Sequence, residues 1–132
     1  MFTRAIEKDP NYALAYAGLA DCYSYLFTYF DSRKEILEHS ISASKKALEL
    51  DHNLAEAHTA RGLAVSLNLQ YTDAEKEFEK AIELNPKSCE AYYFYARTCK
   101  QQGNNEKAVR LFEKASEVRP EDYQAPLLAA SA

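Results

Sequence analysis

Residues that break helices are scarce in this sequence, which contains three glycines and four prolines among 132 residues. A fold made of many short strands and turns needs more of them, so their scarcity favours long helices. Ala, Leu, Glu and Lys, which are good helix formers, fill the segments between them. Hydrophobic residues make up 47% of the chain and charged residues 27%, which excludes a disordered polymer and indicates an ordinary globular domain.

Excess positive charge, long apolar runs and paired cysteines are also missing. The net charge of −4 disfavours a nucleic-acid binder, which needs a basic face to displace counterions from phosphate. No run of about 18 apolar residues is present, so no membrane span is expected. Cys22, Cys89 and Cys99 are odd in number and form no CxxC pair, so we expect no disulfide framework and a cytoplasmic location.

Motifs for catalysis and for cofactor binding are absent as well. His39, His52 and His58 are the only histidines, and no HExxH zinc motif exists. The three glycines are too far apart for a phosphate loop, and no GxSxG nucleophile motif is present. We therefore expect no catalytic site, no cofactor and no metal, and we expect His58 to be a core residue.

The sequence repeats itself with a period of 34 residues. Ala47, Ala81 and Ala115 are separated by this offset, and Phe112 follows Phe78 by the same distance. Before Ala47 the offset is 42, so the first unit carries eight additional residues, in or near the segment LFTYFDSRKE. A fixed period of this length is typical of stacked structural repeats.

Apolar residues recur with the 3.6-residue period of helices. This pattern predicts helices at 11–29, 32–50, 54–69, 72–84, 88–102 and 105–118, with a partial helix at each end. Thr72 and Glu75 form a capping box that is predicted to start the fourth helix. Asn85 before Pro86 is predicted to start the fifth helix. Gly103 is predicted to lie in the turn before the sixth.

The repeat resembles the tetratricopeptide repeat (TPR), whose pattern is W-x2-L-G-x2-Y, then A-x3-F, then P. The matching residues are Tyr16, Leu19, Ala20 and Tyr23 in the first unit; His58, Gly62, Val65, Ala74, Phe78 and Pro86 in the second; and Tyr92, Tyr95, Ala96, Ala108, Phe112 and Pro120 in the third. The resemblance implies an all-α solenoid of helical hairpins that winds into a right-handed superhelix.

The same register divides the chain, which is predicted to be one TPR domain over 1–132. It comprises the end of a preceding repeat (1–10), an expanded first repeat (11–52), a second (53–86), a third (87–120) and part of a next helix (121–132). We therefore expect a piece of a longer protein. The amino-acid sequence of the repeats is similar to that of TPR segments in bacterial signalling and regulatory proteins.

The second and the first units depart from the pattern. Arg61 stands where Leu is usual, and Ser44 stands where an aromatic residue is usual; Ile41 is predicted to compensate for Ser44. The eight additional residues have two interpretations. They either lengthen a hairpin whose extra turns pack on each other, or they form a protruding contact surface that includes Tyr29 and Phe30.

In the TPR family the first helix of each hairpin lines a concave groove, so the resemblance implies a partner protein or peptide bound there. The predicted groove residues are Asp21, Ser24, Tyr25, Glu56, Thr59, Leu63, Ser66, Glu90, Tyr93, Phe94, Arg97 and Lys100. Aromatic residues beside Arg dominate many protein interfaces, and the basic Arg97 and Lys100 favour an acidic or aromatic ligand segment. Tyr93 and Phe94 therefore either bind the partner or pack against neighbouring helices.

The best-known ligand of the family is a chaperone's acidic tail, held by a clamp of Lys, Asn and Arg. The positions of that clamp are occupied here by Ala17, Asp21, Ala60, Glu90 and Phe94, so this ligand is not expected. The predicted function is a protein-interaction scaffold with no affinity for nucleic acid or membrane. The alternatives are self-association through the ends of the chain, an intramolecular regulatory module and, third, an enzyme.

Overall fold

The computed structural model describes residues 12–118, and this part of the chain forms helices without any strand. The helices are α1 (Ala13–Tyr29), α2 (Lys34–Leu50), α3 (Ala55–Leu67), α4 (Tyr71–Leu84), α5 (Cys89–Gln101) and α6 (Asn105–Val118). The predicted helix ends agree with these bounds within two residues. The partial helices predicted at the two ends of the chain lie outside the described residues.

The six helices form three antiparallel hairpins, α1 with α2, α3 with α4 and α5 with α6. α1 contacts α3 and α3 contacts α5, whereas α2, α4 and α6 do not contact one another. The first helices of the hairpins therefore lie closer together than the second ones, and the face that they share is concave. The structure is an all-α solenoid of TPR hairpins, as predicted.

Small residues allow the helices of this solenoid to approach closely. Ala20, Gly62 and Ala96 occupy the equivalent position of the three hairpins, and the two alanines have no exposed surface. A Cβ atom added to Gly62 would lie 2.6 Å from Cε1 of Phe78, on the partner helix α4. The absence of a side chain at Gly62 therefore lets the Phe78 ring of the partner helix sit against the backbone of α3.

The first hairpin replaces this aromatic contact with buried serines. Ser24 and Ser40 share a hydrogen bond of 2.6 Å between their hydroxyl oxygens, and the Ser40 hydroxyl also donates to the Ala20 carbonyl oxygen at 3.0 Å. Ser44 is fully buried and donates to the Ile41 carbonyl oxygen at 2.9 Å. Serine hydroxyls that are bonded within the hairpin thus occupy this crossing, and Ile41 is half-buried, so its role in compensating for Ser44 stays a prediction.

Arg61, the other departure from the pattern, connects neighbouring hairpins. Its guanidinium donates to the carbonyl oxygen of Ile41 at 3.2 Å, which links α3 to α2. A leucine at this position would contribute apolar contact alone, whereas the arginine satisfies an additional backbone acceptor.

The eight-residue expansion lengthens both helices of the first hairpin. α1 and α2 have 17 residues each, whereas α3 to α6 have 13 or 14. Ile36 and Leu37 of the lengthened hairpin are buried, so part of the expansion packs as the first interpretation predicts. Tyr29 and Phe30 are 47% and 74% exposed, so the other side is a protruding apolar surface, as the second interpretation predicts.

Two of the predicted capping residues are wrong. α4 begins at Tyr71, so Thr72 lies inside the helix and its hydroxyl caps nothing; Glu75 instead accepts hydrogen bonds from α5 and α6. α5 is capped by Ser88, whose hydroxyl accepts from the Ala91 amide at 3.3 Å. Asn85 cannot cap α5, because its side chain closes a turn two residues onward.

The short turns between the helices of the second and third hairpins require a left-handed residue. Gly103 has φ of +86°, in the turn where it was predicted. Leu69 lies 34 residues earlier, at the equivalent point of the second hairpin, and has φ of +65°. A leucine tolerates this conformation poorly because its Cβ crowds the carbonyl oxygen. The repeat geometry therefore holds Leu69 in a strained backbone conformation.

Candidate functional site

The concave face of α1, α3 and α5 contains a cavity of about 220 Å³. Asp21 of α1, Glu56 and Thr59 of α3, and Glu90 of α5 line it. These helices contribute to one cavity because residues three or four apart share a helix face. Four predicted groove residues, separated by up to 69 positions in the sequence, are thus brought together.

A second cavity of about 130 Å³ adjoins the first, and the two share Asp21 and Glu90. Its other predicted groove residues are Ser24, Tyr25, Leu63, Phe94 and Arg97. Nine of the twelve predicted residues therefore line the two cavities. The hydroxyl of Ser24 is committed to the bond with Ser40, so it stabilises the hairpin.

The other three predicted groove residues, Ser66, Tyr93 and Lys100, line neither cavity. Ser66 is buried and donates to the Leu63 carbonyl oxygen at 2.8 Å. The ring centroid of Tyr93 lies 5.7 Å from that of Phe112, so Tyr93 packs towards α6. Lys100 is exposed at the end of α5. Tyr93 thus packs against Phe112, and a role of Tyr93 in binding stays a prediction, whereas Phe94 both packs and lines the second cavity.

Carboxylates crowd the centre of the groove. Burial, together with the negative charge of Glu90, raises the pKa of Asp21 to about 7. Burial, followed by the charge of Glu56, also raises the pKa of Glu90. Among the described residues, no Lys, Arg or His forms an ion pair with any of the three carboxylates. The carboxylates at the groove centre therefore have no ion-pair partner within the described part of the chain.

One oxygen of Asp21 lacks a hydrogen-bond donor. Its Oδ1 atom is buried and has no partner within residues 12–118. A buried acceptor without a donor costs about 1–3 kcal/mol. Such a group is costly for folding, and it is available to a donor that a ligand brings.

Arg97 lies at the other end of the second cavity, against two aromatic rings. Its guanidinium carbon is 5.8 Å from the ring centroid of Tyr93 and 5.8 Å from that of Phe94. Contact with the ring faces favours the cation and fixes the side chain. The groove thus has an acidic centre and, beside it, an aromatic end that carries a positive charge.

The sequence pattern missed two groups of lining residues. Asn85, Lys87 and Ser88 border the first cavity from the loop between α4 and α5, and helix periodicity cannot place loop residues. Thr28 and Tyr29 line the second cavity from the last turn of α1. The sequence did contain a signal for Tyr29, because the aromatic residues of the eight-residue expansion had been interpreted as a possible contact surface.

The exposed apolar surface of the expanded first hairpin has a cavity of about 410 Å³, lined by Asp21, Cys22, Tyr25, Leu26 and Phe30. Tyr25 is 56% exposed and Leu26 is 38% exposed. The Tyr25 ring centroid lies 4.7 Å from that of Tyr29 and 6.0 Å from that of Phe30. We name Tyr25, Leu26, Tyr29 and Phe30 the aromatic shelf. It is continuous with the groove, because Asp21 and Tyr25 also line the second cavity.

His58 lies away from the groove and was predicted to be a core residue. Its side chain is 12% exposed, and both ring nitrogens are bonded: Nδ1 lies 2.7 Å from a Glu77 oxygen, and Nε2 lies 2.7 Å from the His52 carbonyl oxygen. Burial lowers the pKa of His58, but the bonds to Glu77 and His52 outweigh it and raise the pKa above the usual value. His58 therefore connects helices rather than holding a metal.

Residues 12–118 contain no group of three or more His, Cys, Asp or Glu side chains arranged to hold a metal ion. In the same part of the chain, no helix combines the length and the apolar character that crossing a bilayer requires. The concave groove, with its two adjoining cavities, is the candidate ligand site.

The fold and the candidate site thus define the chain as a helical-repeat protein with a concave groove. The family model described as tetratricopeptide repeat matches residues 69–131. Among solved structures, TTC0263, a thermophilic TPR protein of Thermus thermophilus, is 25% identical with a TM-score of 0.78, and the match covers 98% of this chain and 66% of that one. The tetratricopeptide-repeat model thus matches the second half of the chain, and the described residues have the fold of a tetratricopeptide-repeat solenoid.

Two further similarities concern regulation and peptide binding. The transcriptional regulator HilA of Salmonella typhimurium is 28% identical over 125 residues, which are 91% of this chain and 22% of the regulator. The chain thus spans about a fifth of the length of this curated relative. The second TPR domain of Spaghetti (RPAP3), solved with the HSP90 peptide SRMEEVD, is 19% identical with a TM-score of 0.65. That match covers 87% of this chain and 99% of that one, and it shows the fold alone.

Proposed function

We propose that this chain is a protein-interaction scaffold that holds a segment of a partner protein in the groove of α1, α3 and α5. The observation that carries the proposal is the convergence of Asp21, Tyr25, Leu63, Glu90 and Arg97 on adjoining cavities of one concave face. TPR folds commonly mediate protein–protein interaction, and the peptide-bound RPAP3 structure is an example with the same fold.

A catalytic role is not part of this proposal. Tetratricopeptide repeats are typically scaffolds without enzymatic activity. The groove offers shape, aromatic surface and charge, which are the properties that recognition of a peptide requires.

The ligand proposed for this groove differs from the RPAP3 peptide. That peptide contains two adjacent glutamates, which Asp21 and Glu90 would repel.

The test is selection of binding peptides. The purified chain is immobilised and challenged with a displayed library of random 12-residue peptides, and the selected peptides are then measured by fluorescence anisotropy. We expect the affinity of groove binders to change at least tenfold in Arg97→Glu, in the direction set by the charge of the bound peptide, and to stay the same in Arg110→Glu. Arg110 is the matched control, because it is exposed on α6, a second helix of a hairpin, and undergoes the same change of charge.

If no peptide is selected, or if both variants bind equally well, the groove is not the interaction site. Circular dichroism at 222 nm establishes beforehand that both variants are as helical as the wild type. This control separates a loss of binding from a loss of fold.

A regulatory context is a further part of the proposal. The similarity to HilA, a transcriptional regulator of which the matched region is about a fifth, supports a TPR module that serves a larger signalling or regulatory protein in the cytoplasm. An antibody raised against this chain and used on lysate of the source cells would measure the mass of the native polypeptide. A band near 15 kDa would contradict this context.

The predicted alternative, self-association through the ends of the chain, concerns segments outside the described residues. It stays a prediction. Sedimentation of the purified chain over a hundredfold range of concentration tests it, because a dimer formed through the ends would dissociate on dilution.

A further inference from the structure

We propose that the groove selects a partner segment in which a Lys or Arg side chain lies within one helical turn of an aromatic or large aliphatic residue. The cationic side chain would lie between Asp21 and Glu90, and the apolar residue would lie on the aromatic shelf of Tyr25, Leu26, Tyr29 and Phe30. This inference rests on the proposed function and specifies the chemistry of its ligand.

The first argument is charge complementarity. Asp21, Glu56 and Glu90 line one cavity, and none of them has an ion-pair partner among the described residues. The Oδ1 atom of Asp21 is buried and lacks a donor. An ammonium or guanidinium group supplies both the missing donor and the missing charge, whereas a neutral or acidic group leaves at least one deficit.

The second argument is the apolar surface beside these carboxylates. Phe30 is 74% exposed and Tyr25 is 56% exposed, and with Leu26 they border a cavity of about 410 Å³. Contiguous exposed aromatic residues on a soluble domain mark an interaction surface, whereas single ones need no explanation. The shelf comes from the expansion of the first hairpin, so the shorter hairpins do not have its equivalent.

The third argument is continuity, because Asp21 lines all three cavities. Tyr25 follows Asp21 by four residues on α1, so their side chains begin about 5–6 Å apart. A cationic side chain at Asp21 and an apolar one on the shelf therefore belong to residues that are neighbours in a partner sequence, or that are three or four apart on a partner helix.

Other charged groups limit where the cation can bind. Lys87 borders the first cavity from the loop before α5, and Arg97 borders the second cavity from α5. Arg97 is held against the rings of Tyr93 and Phe94 and repels a cation at that end. The favourable position is thus the α1 side of the groove, next to the shelf.

The experiment begins with the sequences of the peptides selected by the wild-type chain. We expect Lys or Arg to be enriched, with Phe, Tyr, Leu or Ile within four positions. The best peptide is then synthesised together with a version in which its basic residue is replaced by Glu and a version in which its apolar residue is replaced by Ser. Each replacement is expected to weaken binding at least tenfold by fluorescence anisotropy.

Variants of the chain complete the test. Asp21→Asn is expected to weaken binding of the basic peptide at least fivefold. The same substitution is expected to leave binding of the Glu version unchanged or to strengthen it. Phe30→Ser is expected to weaken the basic peptide by a similar factor, and Leu14→Ser, which changes an exposed residue near the start of α1, is expected not to. Tyr25→Ser provides a second shelf variant if Phe30→Ser is less helical than the wild type.

A measurement of stability distinguishes a binding role of Asp21 from a structural one. Because burial disfavours the ionised carboxylate and raises the pKa of Asp21 on folding, Asp21→Asn is expected to raise the melting temperature at pH 8.5, to raise it less at pH 5 and to change it little at pH 3. A variant that is more stable and yet binds more weakly has lost a group that is retained for the ligand.

The inference is overturned if the selected peptides are acidic or show no charge preference, or if Asp21→Asn and the shelf variants bind the basic peptide as the wild type does. In those cases the proposed function stands if Arg97→Glu still changes the affinity at least tenfold and Arg110→Glu does not, so the two failures are distinguishable. A dimer that dissociates in Phe30→Ser would assign the shelf to a second copy of this chain, which also contradicts the inference.

Discussion

Gly62 is the position where adding a single methyl group should damage this solenoid most. The new Cβ would lie 2.6, 2.8 and 2.9 Å from three ring atoms of Phe78. The ring cannot move away easily, because Phe78 has no exposed surface and its centroid lies 5.7 Å from that of Tyr95. Overpacking of this kind costs about 1–3 kcal/mol. The third hairpin tolerates Ala96 at the equivalent position because its ring, that of Phe112, is only half-buried.

Helix propensity opposes this cost and has to be removed from the measurement. Replacement of Gly by Ala in a helix interior stabilises by about 1 kcal/mol. Gly18 provides the control, because it also lies in a helix and an added Cβ there would meet nothing within 4 Å. Gly18→Ala should therefore show the propensity gain alone, whereas Gly62→Ala should show the gain minus the steric cost. The difference between the two variants isolates the steric cost.

The assay is urea unfolding followed by circular dichroism at 222 nm for the wild type and both variants. We expect Gly18→Ala to be about 0.5–1 kcal/mol more stable than the wild type. We expect Gly62→Ala to be less stable than Gly18→Ala by about 1–3 kcal/mol, at an unchanged slope m. Equal stabilisation by both substitutions would refute the reasoning, since it would mean that the Phe78 ring can shift without cost.

Three other substitutions or conditions test separate parts of the fold. The pKa of His58 is raised on folding, so the stability that His58 contributes is complete below its unfolded pKa and is lost as pH rises through the folded pKa. The melting temperature of the wild type should therefore fall between pH 6 and pH 8.5, and it should fall by less in Glu77→Gln, which lacks the carboxylate partner. An equal fall in both would contradict this role. Leu69→Gly should stabilise by about 0.5–1 kcal/mol in urea unfolding, because glycine relieves the positive φ and the leucine is 71% exposed; a loss of stability would show that the strain is negligible. Glu75→Ala should lower the free energy of unfolding by about 1–3 kcal/mol in the same assay, because it removes an acceptor for hydrogen bonds from α5 and α6. Glu83→Ala, which removes a surface ion pair with Lys80, should lower it by less than about 0.5 kcal/mol, and similar losses in both variants would contradict this account.

Local features of the fold could be predicted because they depend on residues close in sequence. The 34-residue offset and the apolar period placed all six helix spans within two residues of those observed. The capping roles predicted for Thr72 and Asn85 were wrong because several nearby side chains can cap, and the loop path decides which one does. The hydrogen bond between Ser24 and Ser40 was likewise beyond the sequence, since it depends on the distance between two helix axes.

The candidate site could be predicted in outline and not in chemistry. The family register selected Asp21, Glu90 and Arg97 as residues of one groove, and the structure places them along adjoining cavities. The basic residues of the third unit suggested an acidic or aromatic ligand. The structure instead holds Arg97 against two rings and brings Asp21 towards Glu90, and this acidic centre supports the opposite proposal for the ligand's charge.

The sequence by itself determined the period of the repeat, the helices and the positions where small residues permit close packing, because these follow from spacing along single helices. Only the tertiary structure decided which side chains meet. Asp21 and Glu90 are 69 residues apart and belong to the first and third hairpins, and their proximity depends on how each hairpin is rotated against the next. The exposure of the aromatic shelf depends on how far the lengthened first hairpin extends past its neighbour. Rotation and extension arise from packing between hairpins, and they have no signature within one repeat.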